Sequence, residues 1–202
     1  MRRGRGHNRR MERGNWFVAL PVDAGEWYSS GVPPTPQGTR RFAPGDLHLT
    51  VAFLGAVGRA RAMGAWAAAL EQLGRRPASP WAAAPFQVSL GAAAPMGNPK
   101  RATALAALLE HGRREVEAAI GAAREELWAA ADARRDSRPV KAHLSLARIQ
   151  RGASEVERAA ALGWADAIDL AGVRLVLDRL ALYAWSEDRL ERQFAVVTEA
   201  RF

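Results

Sequence analysis

The chain has 202 residues, 49% hydrophobic and 25% charged, a balance that suits a folded core and leaves room for one domain or two joined lobes. It contains no cysteine, which excludes disulfides, thiolate metal sites and a cysteine nucleophile. Its four histidines show no H-x-x-x-H or H-E-x-x-H spacing, so neither a metal nor a cofactor is expected.

The net charge is +8, and residues 1–14 carry five of it: Arg2, Arg3, Arg5, Arg9, Arg10 and Arg13 against Glu12 alone. Two readings of this basic tail stand side by side. One is a salt-sensitive steering segment for a polyanion such as RNA; the other is a solvated, disordered leader with Met11 as the true start. No stretch reaches the roughly 18 apolar residues of a membrane helix, and the basic start lacks the apolar run of a signal peptide, so a cytoplasmic location is expected.

In chain order, Asn15–Asp23 (NWFVALPVD) is a short apolar run closed by proline and aspartate, and reads as a buried strand. Residues 24–46, rich in Gly, Pro, Ser and Arg, read as loop with room for a short helical turn. His48–Gly55 (HLTVAFLG) alternates between two faces until glycine stops it, which predicts a strand. Arg59–Leu73 predicts an amphipathic helix with Met63, Trp66, Ala67 and Leu70 at helical spacing. Phe86–Gly91 reads as a strand and Ala102–Leu109 as another, although its alanines and leucines would also suit a helix; residues 111–134 read as the longest helix, carrying Val116, Ile120 and Leu127.

Ala142–Ile149 (AHLSLARI) repeats the alternation of the first histidine segment. Ser154 then reads as an N-cap with Glu157 completing a capping box, for a helix bearing Val156, Ala160 and Leu162. Strands near Val173–Leu177, Leu180–Trp185 and Arg192–Thr198 close the chain. Two passes of histidine strand, helix and further strands suggest an internal repeat. With no Gly-rich phosphate loop, the pattern favours an α+β fold with antiparallel sheets.

Strand residues i and i+2 point the same way, about 6.6 Å apart. His48 therefore shares a face with Thr50, and His143 with Ser145, while Leu49, Val51, Leu144 and Leu146 are assigned to the core side. If the two strands face each other, a phosphate between them meets two hydroxyls and two imidazoles on opposite sides of phosphorus. One neutral ring can then take a proton from water while a protonated ring gives one to the leaving oxygen. Only 13 of 202 residues are Ser or Thr, so two of four histidines carrying one at +2 would arise by accident in about two chains in a hundred.

Arg148 follows Ser145 by three residues. Strict alternation turns it away from His143, whereas a bulge would bring it round to contact phosphate or ribose. His7 and His111 read as surface residues. Trp27, Tyr28, Phe42, Trp81 and Tyr183 can stack on a base, although such aromatics are more often core.

These segments resemble the two-histidine phosphoesterase superfamily, specifically the bacterial and archaeal RNA 2′,3′-cyclic phosphodiesterases, also named 2′-5′ RNA ligases. That family carries two H-x-(S/T)-x motifs on strands. WFVALPV, RRFAPGDLHLTVAFLG, KAHLSLARIQRG and LALYAWSEDRLERQFAVVTEARF carry the likeness, from Asn15 to the end. The resemblance implies a bilobal fold over residues 15–202, two pseudo-symmetric lobes with antiparallel sheets flanked by helices, and a central cleft. It implies His48 as proton donor and His143 as acceptor, Thr50 and Ser145 as phosphate-binding hydroxyls, and metal-independent opening of an RNA 2′,3′-cyclic phosphate to a 2′-phosphate. Other cyclic or 2′-5′ nucleotides, 2′-5′ ligation, and a non-catalytic RNA-end binding module remain as alternatives. The expected partners are RNA with cyclic phosphate ends or small cyclic nucleotides, and the expected state is a monomer. The chain departs from the usual motif in having Ser145 where threonine is commoner, which keeps the hydroxyl but drops the methyl that stiffens its rotamer.

Overall fold

The computed structural model describes residues 14–97, 102–189 and 191–202. The basic tail therefore lies outside the described residues except for Gly14, as does His7. Among the described residues nine strands form two antiparallel sheets. They are β1 (Trp16–Pro21), β2 (Thr39–Arg41), β3 (His48–Gly55), β4 (Phe86–Pro95), β5 (Ala104–Leu109), β6 (His143–Ile149), β7 (Arg174–Leu177), β8 (Arg179–Trp185) and β9 (Phe194–Arg201). The first sheet has the order β3-β1-β8-β9, the second β2-β6-β5-β4-β7. The α+β reading thus holds, with one histidine strand in each sheet.

Among the described residues four helices flank the sheets: α1 (Glu26–Ser29), α2 (Arg59–Gly74), α3 (Arg113–Ala130) and α4 (Glu155–Asp166). The α2/α3 pair packs on β1 and β3, and α4 on β4 and β5. Since α3 lies between β5 and β6 in sequence yet covers the first sheet, the lobes are interwoven. Among the described residues no helix is long and apolar enough to cross a membrane.

Both shorter-range helix expectations need a correction of face. Trp66 is buried as expected, but Met63, Ala67 and Leu70 are exposed, and α2 buries Ala62, Ala65, Ala68, Ala69 and Gln72 beside Trp66. Small side chains on that stripe let α3 come close: a Cβ on Gly64 would sit 3.0 Å from the carbonyl oxygen of Ala130. Gln72 satisfies its buried amide by donating to Ala123 O and Glu126 Oε2 and accepting from Trp81 Nε1. In α4, Val156 is exposed and Ala161, Trp164 and Ala165 are buried. The capping box is present as expected, with Ser154 Oγ accepting from Glu157 N and Glu157 Oε2 from Ser154 N. The loop assigned to residues 24–46 contains α1, β2 and a 3₁₀ turn at Pro44–Asp46.

Candidate active site

Each histidine strand carries one extra residue just after its hydroxyl. On β3, Ala19 of β1 pairs with Thr50 and Val18 with Ala52, which leaves Val51 as a bulge. On β6, Ala106 of β5 pairs with Ser145 and Leu105 with Ala147, so Leu146 bulges. A bulge shifts the phase of alternation by one. Val51 and Ala52 are both buried, as are Leu146 and Ala147, and the outward face resumes at Phe53 and at Arg148. Phe53 and Arg148 therefore occupy matching places, five residues after each histidine. Arg148 comes round to the His143 face through this bulge, the alternative that strict alternation would have denied it.

A cleft of about 270 Å³ is lined by Asn15, Phe17, His48, Thr50, Phe53, Arg148, Trp185, Arg189, Gln193 and Phe194. His48, Thr50 and Arg148 thus meet in one cavity. His143 and Ser145 are outside that lining; they stand on β6, which runs beside β3, and both are half-buried. His143 is near enough for a charge on it to act on the His48 ring.

Both rings are held in the same way. His48 Nδ1 donates to Asp46 O at 2.7 Å, and His143 Nδ1 donates to Lys141 O at 2.6 Å, in each case the carbonyl two residues earlier. A carbonyl can only accept, so in the neutral ring the proton sits on Nδ1 and Nε2 is the basic nitrogen. Around His48 the rings of Phe17, Tyr183 and Phe194 lie with centroids at 4.7, 5.3 and 5.3 Å. Tyr28, Phe42, Trp81 and Tyr183, candidates for base stacking by residue type, are all core residues.

His48 is only 8% exposed. Burial, opposed by its hydrogen bond to Asp46 O and reinforced by the nearby His143 and Arg148, pushes its pKa from 6.5 down to about 4. As pH falls below 6.5 the unfolded chain takes up a proton here that the folded protein refuses until about pH 4. Stability present above pH 6.5 is lost across that window, about 3 kcal/mol in full at roughly 1.4 kcal/mol per unit. Urea titrations at pH 7 and pH 4.5 should show His48→Gln losing less stability than the parent on acidification. Equal losses would mean that the buried ring is not the acid-sensitive group.

The closing hairpin supplies residues that sequence reasoning does not reach. Asp46, 1% exposed, accepts from Gln193 N at 2.8 Å and from Phe194 N at 2.9 Å through its two carboxylate oxygens. One residue thus ties down the far end of the chain with its side chain and orients His48 with its carbonyl. Gln193 is 5% exposed and lines the cleft, yet its Nε2 has no hydrogen-bond partner. Arg189 lies over Trp185 at 4.3 Å, and Arg148 is 6.0 Å above Phe42. Neither guanidinium has an acidic partner among the described residues. Burial, then repulsion from Arg189, lowers the Arg148 pKa. Two unpaired cations, a hydroxyl and an orphaned amide donor together suit an anionic ligand.

No protein-family model matches the sequence, and no curated protein matches it. Solved structures do. E. coli LigT, crystallised with 3′-AMP, superposes with a TM-score of 0.64 at 19% identity, covering 94% of this chain and 98% of LigT. The chain has the fold of the two-histidine phosphoesterases. TT0787 of Thermus thermophilus shares this two-histidine phosphoesterase fold at a TM-score of 0.65 and 22% identity, over 93% of this chain and 97% of its own. Usb1 of Kluyveromyces marxianus matches it at 0.54 and 13% identity, over 92% and 98%. The α+β frame is thus common to proteins of very different sequence.

Proposed function

We propose that the chain is a phosphodiesterase that opens RNA 2′,3′-cyclic phosphate ends to 2′-phosphates, using two histidines and no metal. The observation that carries this reading is the matched presentation of the two motifs. Two H-x-hydroxyl strands from different sheets run side by side, with the same bulge after the hydroxyl and the same Nδ1 to carbonyl tether. The complex of LigT with 3′-AMP, a ribonucleotide carrying its phosphate on the ribose edge, supports a nucleotide substrate.

In this mechanism the cyclic phosphate lies between the strands. Thr50 and Ser145 donate to its non-bridging oxygens, and Arg148, Arg189 and the free Gln193 amide add charge and a further donor. His143 accepts a proton from water as the water oxygen bonds to phosphorus. The bond from phosphorus to the ribose 3′ oxygen breaks, and His48 delivers a proton to that oxygen, leaving a 2′-phosphate and a 3′-hydroxyl. A phosphodiester anion beside His48 opposes the repulsion from His143 and Arg148 and favours the protonated ring, so bound substrate itself raises the pKa that burial lowers. The substrate thus favours the charged form of the acid, which is the form the step needs.

The test is to incubate the protein with a nucleoside 2′,3′-cyclic phosphate in the presence of a chelator and identify the product by phosphorus NMR. A 2′-phosphate is expected. A 3′-phosphate would reverse the assignment of the leaving oxygen, and no turnover with intact RNA binding would favour a binding module.

A further inference from the structure

Phe53 lines both the catalytic cleft and a second groove. Phe53 is 53% exposed, although it sits in a strand whose neighbours Ala52 and Leu54 are buried. The bulge at Val51 turns it outward, and Trp128 Nε1 fixes its backbone by donating to Phe53 O at 3.1 Å. The ring is thus held out on a rigid edge. On its far side lies the second groove, of about 650 Å³, lined by Phe53, Leu54, Gly55 and Ala56 and by residues 134–138 of the loop that leads into β6.

That loop contributes three arginines and one acid. Asp136 is engaged by Arg138, which reaches both carboxylate oxygens with its nearest approach at 2.5 Å and holds the carboxyl down at about 2. Arg135 makes one loose, exposed ion pair of 3.5 Å with Glu125. Arg134 is exposed and has no acidic partner among the described residues. Such a surface keeps net positive charge beside an exposed ring, the combination that single-stranded nucleic acid uses for phosphate and base. The catalytic cleft alone, at about 270 Å³, falls at the lower edge of the usual roughly 300–1,000 Å³ for ligand sites, so a longer ligand must continue beyond it.

We infer that this groove is a second nucleotide subsite: the base next to the reacting end stacks on Phe53, and the adjoining phosphate lies against Arg134 and Arg135. The favoured substrate is accordingly an oligonucleotide rather than a mononucleotide, an inference that rests on the phosphodiesterase reading. Charge alone does not carry it, because the aromatic platform and the cationic loop adjoin the same end of the cleft.

The experiment compares a nucleoside 2′,3′-cyclic phosphate with a trinucleotide ending in the same group. In the parent protein kcat/KM is expected to be higher for the trinucleotide. Arg134→Ala/Arg135→Ala should remove about tenfold of it and lower the salt slope by about 0.7 for each phosphate no longer neutralised, with mononucleotide turnover unchanged. Phe53→Leu should cost the trinucleotide roughly 5- to 100-fold through weaker stacking. Arg174→Ala, which removes one exposed positive charge on the edge strand β7, serves as the control for either single arginine of the groove and should have no effect. If mononucleotide and trinucleotide are turned over alike by parent and double variant, or if Arg174→Ala acts as strongly, the groove is not a subsite and the phosphodiesterase reading stands. If neither substrate is turned over, that reading falls and the groove is judged by fluorescence anisotropy with a trinucleotide 2′-phosphate. Weaker binding by the double variant but not by Arg174→Ala upholds the groove, and equal binding overturns it.

Discussion

His48→Ala and His143→Ala are each expected to lower kcat on a nucleoside 2′,3′-cyclic phosphate by roughly 10²–10⁴-fold, the usual contribution of a general acid or base. Nothing else described in the cleft can take over a proton transfer at neutral pH, because its other polar groups are hydroxyls, amides and guanidiniums. The two losses become distinguishable when the leaving group no longer needs a proton. On a nucleoside p-nitrophenyl phosphodiester, His48→Ala should recover most of the lost rate, since the phenolate departs unaided, whereas His143→Ala should not. Recovery in His143→Ala instead would exchange the two roles, an arrangement in which the ring kept neutral by burial serves as the base.

Replacing Asp46 should have the largest effect on stability of any single change outside the hydrophobic core. Asp46→Ala strips two buried backbone N–H groups, those of Gln193 and Phe194, of their acceptors. At about 1–3 kcal/mol for each unsatisfied group, the loss is roughly 2–6 kcal/mol. Asp46→Asn keeps one acceptor and should cost about half as much. Urea unfolding with an unchanged m-value measures this directly. A loss below about 0.5 kcal/mol would show that the hairpin end does not depend on the carboxylate. Turnover should fall along with stability, because Gln193 and Phe194 form one wall of the cleft and Phe194 packs against the His48 ring.

The two histidine strands are legible in the bare sequence because period-two alternation and a repeated H-L-hydroxyl word survive there. The bulges are not, since an extra residue such as Val51 or Leu146 leaves no compositional trace and only pairing partners from β1 and β5 reveal it. Phe53 and Arg189 escape for related reasons. The first reaches the cleft through a phase change, and the second comes from a hairpin more than 130 residues from His48 in the sequence. Asp46 has a faint signal, an acid two residues before the motif histidine, but its partners Gln193 and Phe194 lie at the other end of the chain. The faces of α2 and α4 come out wrong from sequence because alanine is ambiguous. Where a helix packs closely on a neighbour, alanines fill the interface and the larger Met63, Leu70 and Val156 are displaced toward solvent.

The duplicated strands also impose direction. Equivalent places on the two jaws hold a flat neutral ring, Phe53, and a fixed cation, Arg148. On the proposed reading, a polymer threaded through this opening meets unlike neighbours on the two jaws, an aromatic ring on one and a guanidinium on the other. On that reading, this asymmetry would let the protein tell one chain polarity from the other without reading a single letter of sequence.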